Sequence, residues 1–345
     1  MSLLPDRFAD QIAGHMAGQQ VCVTGGAGFI GGHLVDALIA LGAFVTVIDD
    51  LSNASARSVA QAMDRAPDRI RFIQASILDP EAMNLAVEGA RNVFHLAALG
   101  SVPMSIQDPV RNWVVNATGS MRVLQAAKAA RVQRVIHSAS SSAYGNHPEL
   151  PKCESMAPRP ESPYAAAKYA GESLMRAWAA CYEIDTISLR YFNIFGPRQA
   201  TDSAYAAVIP ALVTRYLTGQ SPIIYGSGEQ TRDFTHVSNA VAANLLAAVA
   251  QEPLKGQVVN VGAGVQTSIN ELATMIAEIL RMTEIKVQYE PERVGEVFHS
   301  VSCIDLAKTV IGYEPTTSIE AGLEQTIRWY ADEHKKQASS QSEAS

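Results

Sequence analysis

The sequence predicts an α/β protein built on a doubly wound parallel sheet, with a smaller α/β lobe toward the C-terminus. Three observations predict it. Apolar runs of strand length alternate with helical stretches, a glycine-rich turn joins the first strand to the first helix, and an acid ends the second strand. Apolar strands separated by helices are typical of a parallel sheet covered on both faces.

The predicted elements follow one another regularly through the first 200 residues. The strands are QVCVTG, AFVTVIDD, RIRFIQAS, RNVFHLAA, QRVIHSAS and DTISLRYFNIFG. The helices between them include GAGFIGGHLVDALIALG, EAMNLAVEGA, NATGSMRVLQAAKAAR and a stretch from Ser162 to about Tyr182. From about Ala200, Pro, Gly and Tyr become frequent, which indicates a second lobe.

We therefore predict four segments. They are an N-terminal extension (1–18), a large domain (19–199), a partly interleaved lobe (200–333) whose residues 235–265 return to the large sheet, and a disordered tail (334–345).

Composition excludes several classes of function. A net charge of −7 disfavours non-specific binding of nucleic acid. No apolar run approaches the ~20 residues of a membrane helix, and charges at Asp6, Arg7 and Asp10 disfavour a signal peptide. The four cysteines lack metal-site spacing, so we expect reduced thiols, a cytoplasmic protein and no metal.

The first turn has the pattern of a Rossmann-type dinucleotide site. Gly25 permits a tight turn, Gly28 lets backbone approach a pyrophosphate, and Gly31 lets helix pack on strand. Asp49 follows at the spacing expected for a ribose-binding acid, and its charge favours NAD over NADP. The alternative is a glycine-rich turn with an incidental acid; Asp50 is a weaker candidate for the same role.

A second motif, YAAAK at residues 164–168, has the pattern of a general base for proton transfer. Tyr164 and Lys168 are four residues apart on a predicted helix, so both can approach one reactant. A nearby cation lowers the pKa of a phenol toward a useful range. Ser140 ends the strand RVIHSAS, at the sheet edge where such folds bind ligands. Taken alone, these residues are also compatible with an exposed Tyr, a solvated Lys and a turn-capping Ser.

These residues together resemble a known family. TGGAGFIG, Asp49, HLAALGSVPMS, SASSSAYG, YAAAK and LRYFNIFGPR are similar to the extended short-chain dehydrogenases that act on nucleotide-sugars. Within that family, ALGSVPMSIQDP, SSSAYGNHPELPK and SAYAAVIP most resemble the UDP-N-acetylglucosamine 4-epimerases of bacterial surface-polysaccharide pathways.

The resemblance implies roles for individual residues. The catalytic residues would be Ser140, Tyr164 and Lys168. The residues implied to bind NAD are Gly25, Gly28, Phe29, Ile30, Gly31, Asp49, Asn53, Ser76, Ile77, Leu96, Ala97, Ala98, Asn116, Tyr164, Lys168 and Tyr191, with Phe192 beside the nicotinamide. Those implied to bind substrate are Gly100, Ser101, Ser141, Ser142, Asn193, Ala207, Val208, Ile224, Tyr225, Arg232, Arg293, Glu296 and Ser300.

In the resembled family, residues aligned with Ala207, Val208, Ile224 and Tyr225 hold uracil, and the position of Asn193 contacts the diphosphate. Arg232 and Arg293 would bind phosphate. The chain departs from the family pattern at Ser76 and Glu296, because the family usually has Asp at both positions.

The resemblance implies NAD-dependent C4 epimerisation of a UDP-hexose through a 4-keto intermediate. Ser300 aligns with a gate residue that faces the C2 substituent, and its small size favours UDP-GlcNAc/UDP-GalNAc, with UDP-Glc/UDP-Gal also open. The alternatives are a UDP-glucuronate 4-epimerase, a UDP-glucuronate decarboxylase and a non-catalytic NAD-binding regulator.

The family also forms homodimers through a four-helix bundle. The corresponding faces here lie on helices 112–130 and 163–182, at Trp113, Val115, Met121, Leu124, Leu174, Ala177 and Trp178. These faces could instead only cover the sheet.

Overall fold

The large domain is built on one seven-stranded parallel sheet. The computed structural model describes residues 12–200, 207–292 and 298–343, with side chains described to residue 336. The sheet contains β1 (Gln20–Thr24), β2 (Phe44–Asp49), β3 (Ile70–Gln74), β4 (Asn92–His95), β5 (Arg134–Ser140), β6 (Asp185–Tyr191) and, from later in the chain, β11 (Gln257–Val261). Their order is β11-β6-β5-β4-β1-β2-β3. Because the order reverses direction beyond β1, the carboxyl ends of β1 and β4 open a crevice for a ligand.

Helices cover both faces of the sheet. They are α1 (Phe29–Ala40), α2 (Arg57–Arg65), α3 (Pro80–Val87), α4 (Val102–Gln107), α5 (Pro109–Trp113), α6 (Gly119–Ala129), α7 (Pro163–Cys181) and, from later in the chain, α9 (Val237–Val249). One apolar core lies between the sheet, α1 and α9, and a second lies beneath α3, α6 and α7. This arrangement confirms the predicted fold class.

Local chemistry explains where α7 begins. The Ser162 hydroxyl accepts a hydrogen bond from the Ala165 amide at 3.1 Å, and Pro163 occupies the first helical position. Both features are favoured at a helix N-terminus. They place Tyr164 in the first turn of the helix and Lys168 one turn later.

The remaining elements form a smaller lobe. They are β7 (Ile194–Phe195), α8 (Val208–Leu217), β8 (Ile223–Tyr225), β9 (Thr231–Arg232), β10 (Thr235–His236), β12 (Thr267–Ser268), α10 (Ile269–Leu280), β13 (Gln288–Glu290), α11 (Asp305–Ile311) and α12 (Ile319–Glu343). A third core packs α8, α10 and α12 together. Its strands form two-residue and three-residue pairs instead of a continuous sheet.

The chain passes between the two regions more than once. β11 pairs with β6 in parallel, so residues 257–261 belong to the large sheet although they follow the lobe's first elements. At the other end, Ile12 and Met16 of the predicted N-terminal extension are buried in the first core.

The tail differs from the sequence expectation. α12 continues to Glu343, whereas we predicted disorder from residue 334. The composition explains the continuation, because Ala, Gln, Glu and Lys favour helix and the Lys336 ammonium pairs with Glu333 within one turn. Within the described part of the chain, no helix combines the length and apolarity that crossing a bilayer requires.

Candidate active site

A cleft of about 310 Å³ lies at the carboxyl edge of the large sheet. It brings together residues from β1, β2, β4, β5, β6 and α7 that are far apart in sequence. The predicted residues that line it are Gly25, Gly28, Phe29, Ile30, Gly31, Asp49, Asn53, Ser76, Ile77, Leu96, Ala97, Ala98, Gly100, Tyr164, Lys168 and Tyr191. Most of the predicted dinucleotide residues therefore line one cavity together with Tyr164 and Lys168, whereas Ser140 and Asn116 are not among its lining residues.

Glycines form the floor of the cleft because side chains do not fit there. Gly25 has a φ of +71°, and a Cβ on it would lie 2.5 Å from the Ala97 amide nitrogen. A Cβ on Gly31 would lie 2.1 Å from the Gly25 carbonyl oxygen. The turn from β1 to α1 is thus a bare backbone cradle at a helix N-terminus, which suits a pyrophosphate. The residues present fit NAD.

Asp49 ends β2 at the side of this cradle. Its carboxylate accepts hydrogen bonds from the Ala27 amide at 3.0 Å and the Leu51 amide at 2.9 Å. Burial raises the pKa of Asp49, and these two hydrogen bonds lower it part of the way back. The two amides hold the carboxylate at the edge of the cleft, where it can accept a hydrogen bond from a ribose hydroxyl.

Tyr164 and Ser140 meet across the other end of the cleft. Burial raises the pKa of the Tyr164 phenol, and a hydrogen bond with the Ser140 hydroxyl lowers it in part. We expected Lys168 to lower this pKa. In this structure the group that lowers it is Ser140, and the Lys168 ammonium donates to the Ser138 carbonyl at 2.8 Å.

Lys168 is buried one helical turn after Tyr164, with only 5% of its surface exposed. Burial lowers the pKa of its ammonium to about 8, and the Glu172 carboxylate raises it in part. Glu172 lies one helical turn further along α7. It binds Arg190 through two hydrogen bonds, from Nε at 2.8 Å and from Nη2 at 2.7 Å.

Sequence reasoning missed this ion pair. Glu172 and Arg190 are both almost fully buried. The i, i+4 spacing of Lys168 and Glu172 was visible in the sequence. The partner on β6 was not, because only the packing of α7 on the sheet places Arg190 opposite Glu172.

Two predicted cofactor residues lie behind the cleft instead of on its surface. Asn116 accepts a hydrogen bond from the Leu99 amide at 2.8 Å and donates to the Leu99 carbonyl at 3.1 Å. Its side-chain amide therefore binds the backbone of the loop after β4 on the side away from the cleft. Phe192 is fully buried and packs against Tyr144, with ring centroids 6.1 Å apart.

Side chains at the adenosine end of the cleft hold the neighbouring backbone. The Asn53 amide donates to the Ala98 carbonyl at 3.1 Å. The Ser76 hydroxyl accepts from the Leu78 amide at 3.3 Å, so the Ser that replaces the family's Asp stabilises a turn beside Ile77.

The predicted substrate residues of the large domain lie in the loops after β4, β5 and β6, and Gly100 lines the cleft. Ser101 caps α4 through the Met104 amide, and the Ser142 hydroxyl donates to Ser140 at 2.8 Å. Ser141 begins the short 3₁₀ turn that follows β5. Asn193 is exposed with a φ of +33°.

The lobe supplies the other predicted substrate residues. Ala207 caps α8 and is followed by Val208, whereas Ile224 is buried in the third core and Tyr225 ends β8. Arg232 donates to the carbonyls of Thr231 at 2.9 Å and Phe298 at 3.2 Å. Arg293 and Glu296 lie outside the described residues.

Ser300 lies on an extended segment, residues 298–303, that we call the strap. The Ser300 amide donates to the Thr231 carbonyl at 3.1 Å, and the side chain is buried beside β9. The backbone contacts that hold the strap are independent of which side chain occupies position 300.

Comparison with known proteins assigns the family. A model of the NAD dependent epimerase/dehydratase family matches residues 21–262. The chain belongs to this family. A curated UDP-glucose 4-epimerase of Mycolicibacterium smegmatis is 36% identical over 310 residues, which are 89% of this chain and 97% of the relative.

Two further relatives show how the family diverges. A solved UDP-N-acetylglucosamine 4-epimerase of Methanobrevibacter ruminantium, in complex with UDP-N-acetylmuramic acid, superposes with a TM-score of 0.87 at 38% identity. It covers 92% of this chain and 99% of its own. A UDP-N-acetyl-α-D-glucosaminuronate decarboxylase of Bacillus cytotoxicus is 31% identical over 320 residues, 90% of this chain and 97% of the relative.

These comparisons confirm the predicted family, the fold and the use of NAD, and they make the chain an enzyme of the epimerase class. The roles of individual residues remain predictions, and so does the sugar, because the relatives' names cover plain, acetylated and carboxylated sugars.

Proposed function

We propose that this protein epimerises UDP-hexoses at C4 with NAD, and that its sugars are UDP-GlcNAc and UDP-GalNAc. The observation that carries the reaction is the placement of Tyr164 and Lys168 in the lining of the glycine-floored cleft, with the Ser140 hydroxyl in a hydrogen bond with the Tyr164 phenol. A base, a hydroxyl that orders it and a buried cation are the groups that oxidation of an alcohol requires.

Different residues of the cleft would bind different parts of NAD. The cradle of Gly25, Gly28 and Gly31 would hold the pyrophosphate, and Asp49 would accept hydrogen bonds from the adenosine ribose. Lys168 and Tyr191 would border the nicotinamide riboside. When bound, the oxidised cofactor supplies a positive ring that accepts a hydride from the sugar and later returns it, so that net turnover consumes none.

The chain's own residues move the proton. Tyr164 takes it from O4 of the hexose while Ser140 holds the phenol and the sugar oxygen in line. The cation of Lys168 adds to the positive charge near the forming phenolate. The 4-keto sugar then turns about its diphosphate link, and Tyr164 returns the proton at the opposite face.

The choice of sugar rests on the strap. Ser300 is small, and its side chain is buried beside β9, so a bulky C2 substituent has no large side chain to meet at that position. This supports acetylated hexoses, with plain hexoses also accepted. In the resembled family the gate works in this way, and the proposal transfers it to Ser300.

One experiment tests the reaction and the sugar together. The purified protein is incubated with UDP-GlcNAc, UDP-glucose and UDP-glucuronate, and each product is identified by NMR and mass spectrometry. The proposal predicts UDP-GalNAc as the main product. A pentose product from UDP-glucuronate would establish a decarboxylase instead, and a C4 epimer of UDP-glucuronate alone would establish a uronate epimerase.

A variant then ties the activity to the site. Tyr164→Phe should lower kcat by about 10²–10⁴-fold, because it removes the proton acceptor while retaining the ring. NAD binding and the melting temperature should be unchanged. Turnover close to that of the wild type would refute the assigned role of Tyr164, whichever sugar is used.

We also propose that the protein is a homodimer. The exposed apolar side chains of α4, α5 and α7 form a patch that includes Ile106 (65% exposed), Val110 (72%) and Trp113 (49%). By contrast, Leu124 is fully buried in the second core, and Leu174 and Trp178 pack against it. The residues predicted for the dimer interface therefore fall into two groups. Those on α6 and part of α7 cover the sheet, whereas Trp113 faces outward.

A further inference from the structure

Two of the four cysteines lie side by side although 150 residues separate them in sequence. The Lys152 amide donates to the Val301 carbonyl at 2.8 Å, and the Cys303 amide donates to the Lys152 carbonyl at 2.9 Å. This is a parallel bridge that pairs Lys152 with Ser302. The next pair in register is therefore Cys153 and Cys303, whose side chains point to the same side of the bridge.

A buried amide holds the two segments together at this point. Asn260 of β11 donates to the Lys152 carbonyl at 2.8 Å and to the Cys303 carbonyl at 3.0 Å. The two thiols are within hydrogen-bonding reach of each other, and both are partly exposed. Adjacent parallel strands lie ~4.8 Å apart. That spacing falls inside the range of Cα separations that a disulfide bridges.

We propose that Cys153 and Cys303 form a modification site, at which a low-molecular-weight disulfide such as oxidised glutathione converts the two thiols into one intramolecular disulfide. One thiolate attacks the small disulfide, which releases one small thiol and leaves a mixed disulfide on the protein. The second thiolate then attacks the protein sulfur of that mixed disulfide and expels the second small thiol. The two protein thiols are oxidised, the small disulfide is reduced, and the two protons end on the released thiols.

The crosslink would fix one end of the strap. Ser302 already anchors the strap, because its amide and hydroxyl donate to the buried Asp233 carboxylate at 3.0 and 2.5 Å. Asp233 also accepts from the Ala263 amide at 2.7 Å. A disulfide at Cys303 adds a covalent tie to the segment that follows Pro151. Its expected effect on catalysis rests on the proposed function, since Ser300 lies three residues before Cys303 on the same strap.

The surroundings of Cys153 disfavour its thiolate at neutral pH. Burial raises the pKa of Cys153 to about 11, and contact with Cys303 and the carboxylates of Glu154 and Asp305 add to the increase. The attacking species is the thiolate. Oxidation should therefore accelerate as the pH rises, and in a reducing cytoplasm the pair should remain reduced until the oxidant accumulates.

The experiment maps the thiols and measures stability. Fully reduced wild-type protein is incubated with oxidised glutathione at mildly alkaline pH, free thiols are alkylated, and digests are analysed without reduction. We expect one linked pair of peptides containing Cys153 and Cys303. The melting temperature of the oxidised protein should rise by several degrees, on the order of 5 °C, because the closed loop is long. Dithiothreitol should reverse the change.

Matched variants separate this site from the other thiols. Cys181→Ser removes an exposed thiol elsewhere and should retain both the linked peptides and the shift in melting temperature. Cys153→Ser and Cys303→Ser should lose both. Alkylated Cys153 and Cys303 in the oxidised wild type, or an equal shift in Cys153→Ser, would overturn the proposal.

Kinetics test the link to the strap. With the disulfide formed, the ratio of turnover on UDP-GlcNAc to turnover on UDP-glucose should change at least about twofold and recover on reduction. An unchanged ratio with the disulfide mapped would overturn the coupling to Ser300. Should the protein act on no UDP-sugar, the proposed function fails, while the peptide map and the melting temperature still decide whether the disulfide forms.

Discussion

The cofactor side and the sugar side of the cleft are built in different ways. The cofactor side is made from the ends of long parallel strands and a glycine turn whose backbone leaves no room for side chains. The sugar side is made from two-residue strands and the strap, held by single backbone hydrogen bonds and the buried Asp233. The first is held by the pairing of long strands, whereas the side chain at position 300 takes no part in the hydrogen bonds that hold the strap.

The difference teaches where chemistry and selectivity reside in this molecule. Tyr164 and Lys168 lie on α7, which packs along β5 and β6 and rests on the buried pair of Glu172 and Arg190. Ser300 lies on a strap whose backbone contacts do not depend on its side chain. Substitutions that disturb the backbone of the glycine turn should therefore reduce folding and NAD binding together, whereas those on the strap should alter the choice of sugar.

The largest expected effect, on NAD binding and on stability, comes from a substitution in the glycine cradle. Gly31→Ala places a Cβ 2.1 Å from the Gly25 carbonyl, so the turn must move. We expect NAD binding to weaken at least about 100-fold and the free energy of unfolding to fall by about 3 kcal/mol. Calorimetric titration and chemical denaturation measure the two quantities.

A neighbouring glycine provides the control. A Cβ on Gly32 would have its nearest neighbour at 3.6 Å, so Gly32→Ala adds helix propensity without a clash. It should leave NAD binding unchanged and stabilise the protein by up to about 1 kcal/mol. Equal effects of the two substitutions would contradict the close packing inferred for the cradle.

The second-largest expected effect is a loss of activity on the acetylated sugar when Ser300 of the strap is enlarged. Ser300→Tyr should lower kcat/KM for UDP-GlcNAc by on the order of 30-fold while changing that for UDP-glucose much less, because the large ring obstructs an N-acetyl group. Ser300→Ala keeps the position small and should preserve both activities. If turnover of the acetylated sugar survives in Ser300→Tyr, Ser300 is not the gate.

The smallest effect is the pH dependence of stability that Lys168 contributes. Its pKa falls from 10.5 to about 8 on folding. Between these values the unfolded chain binds more protons than the folded one, so stability increases with pH. Relative to Lys168→Met, nucleotide-free wild-type protein should gain about 2 kcal/mol between about pH 7.5 and 9.5.

A difference between the wild type and Lys168→Met that stays constant across this pH range would show that burial does not shift the pKa of this ammonium.

Sequence reasoning succeeded where function depends on local pattern. The glycines, Asp49 and the Tyr164–Lys168 pair were identified because turn geometry, strand ends and helix periodicity constrain them within short stretches of chain. It was less successful where contacts are long-range. Asn116 lies behind the loop after β4, where it binds the Leu99 backbone, and Glu172 on α7 pairs with Arg190 on β6.

The sequence alone thus determined the family, the parallel sheet and the cofactor, and it suggested the residues proposed to carry the proton, because each leaves a pattern within a few neighbouring residues. Only the tertiary structure decided which residues distant in sequence contact each other. Arg190 meets Glu172 only when β6 packs beneath α7, and Cys153 meets Cys303 only when the strap returns to Lys152. Contacts between segments so far apart follow from packing, and no local pattern in the chain records them.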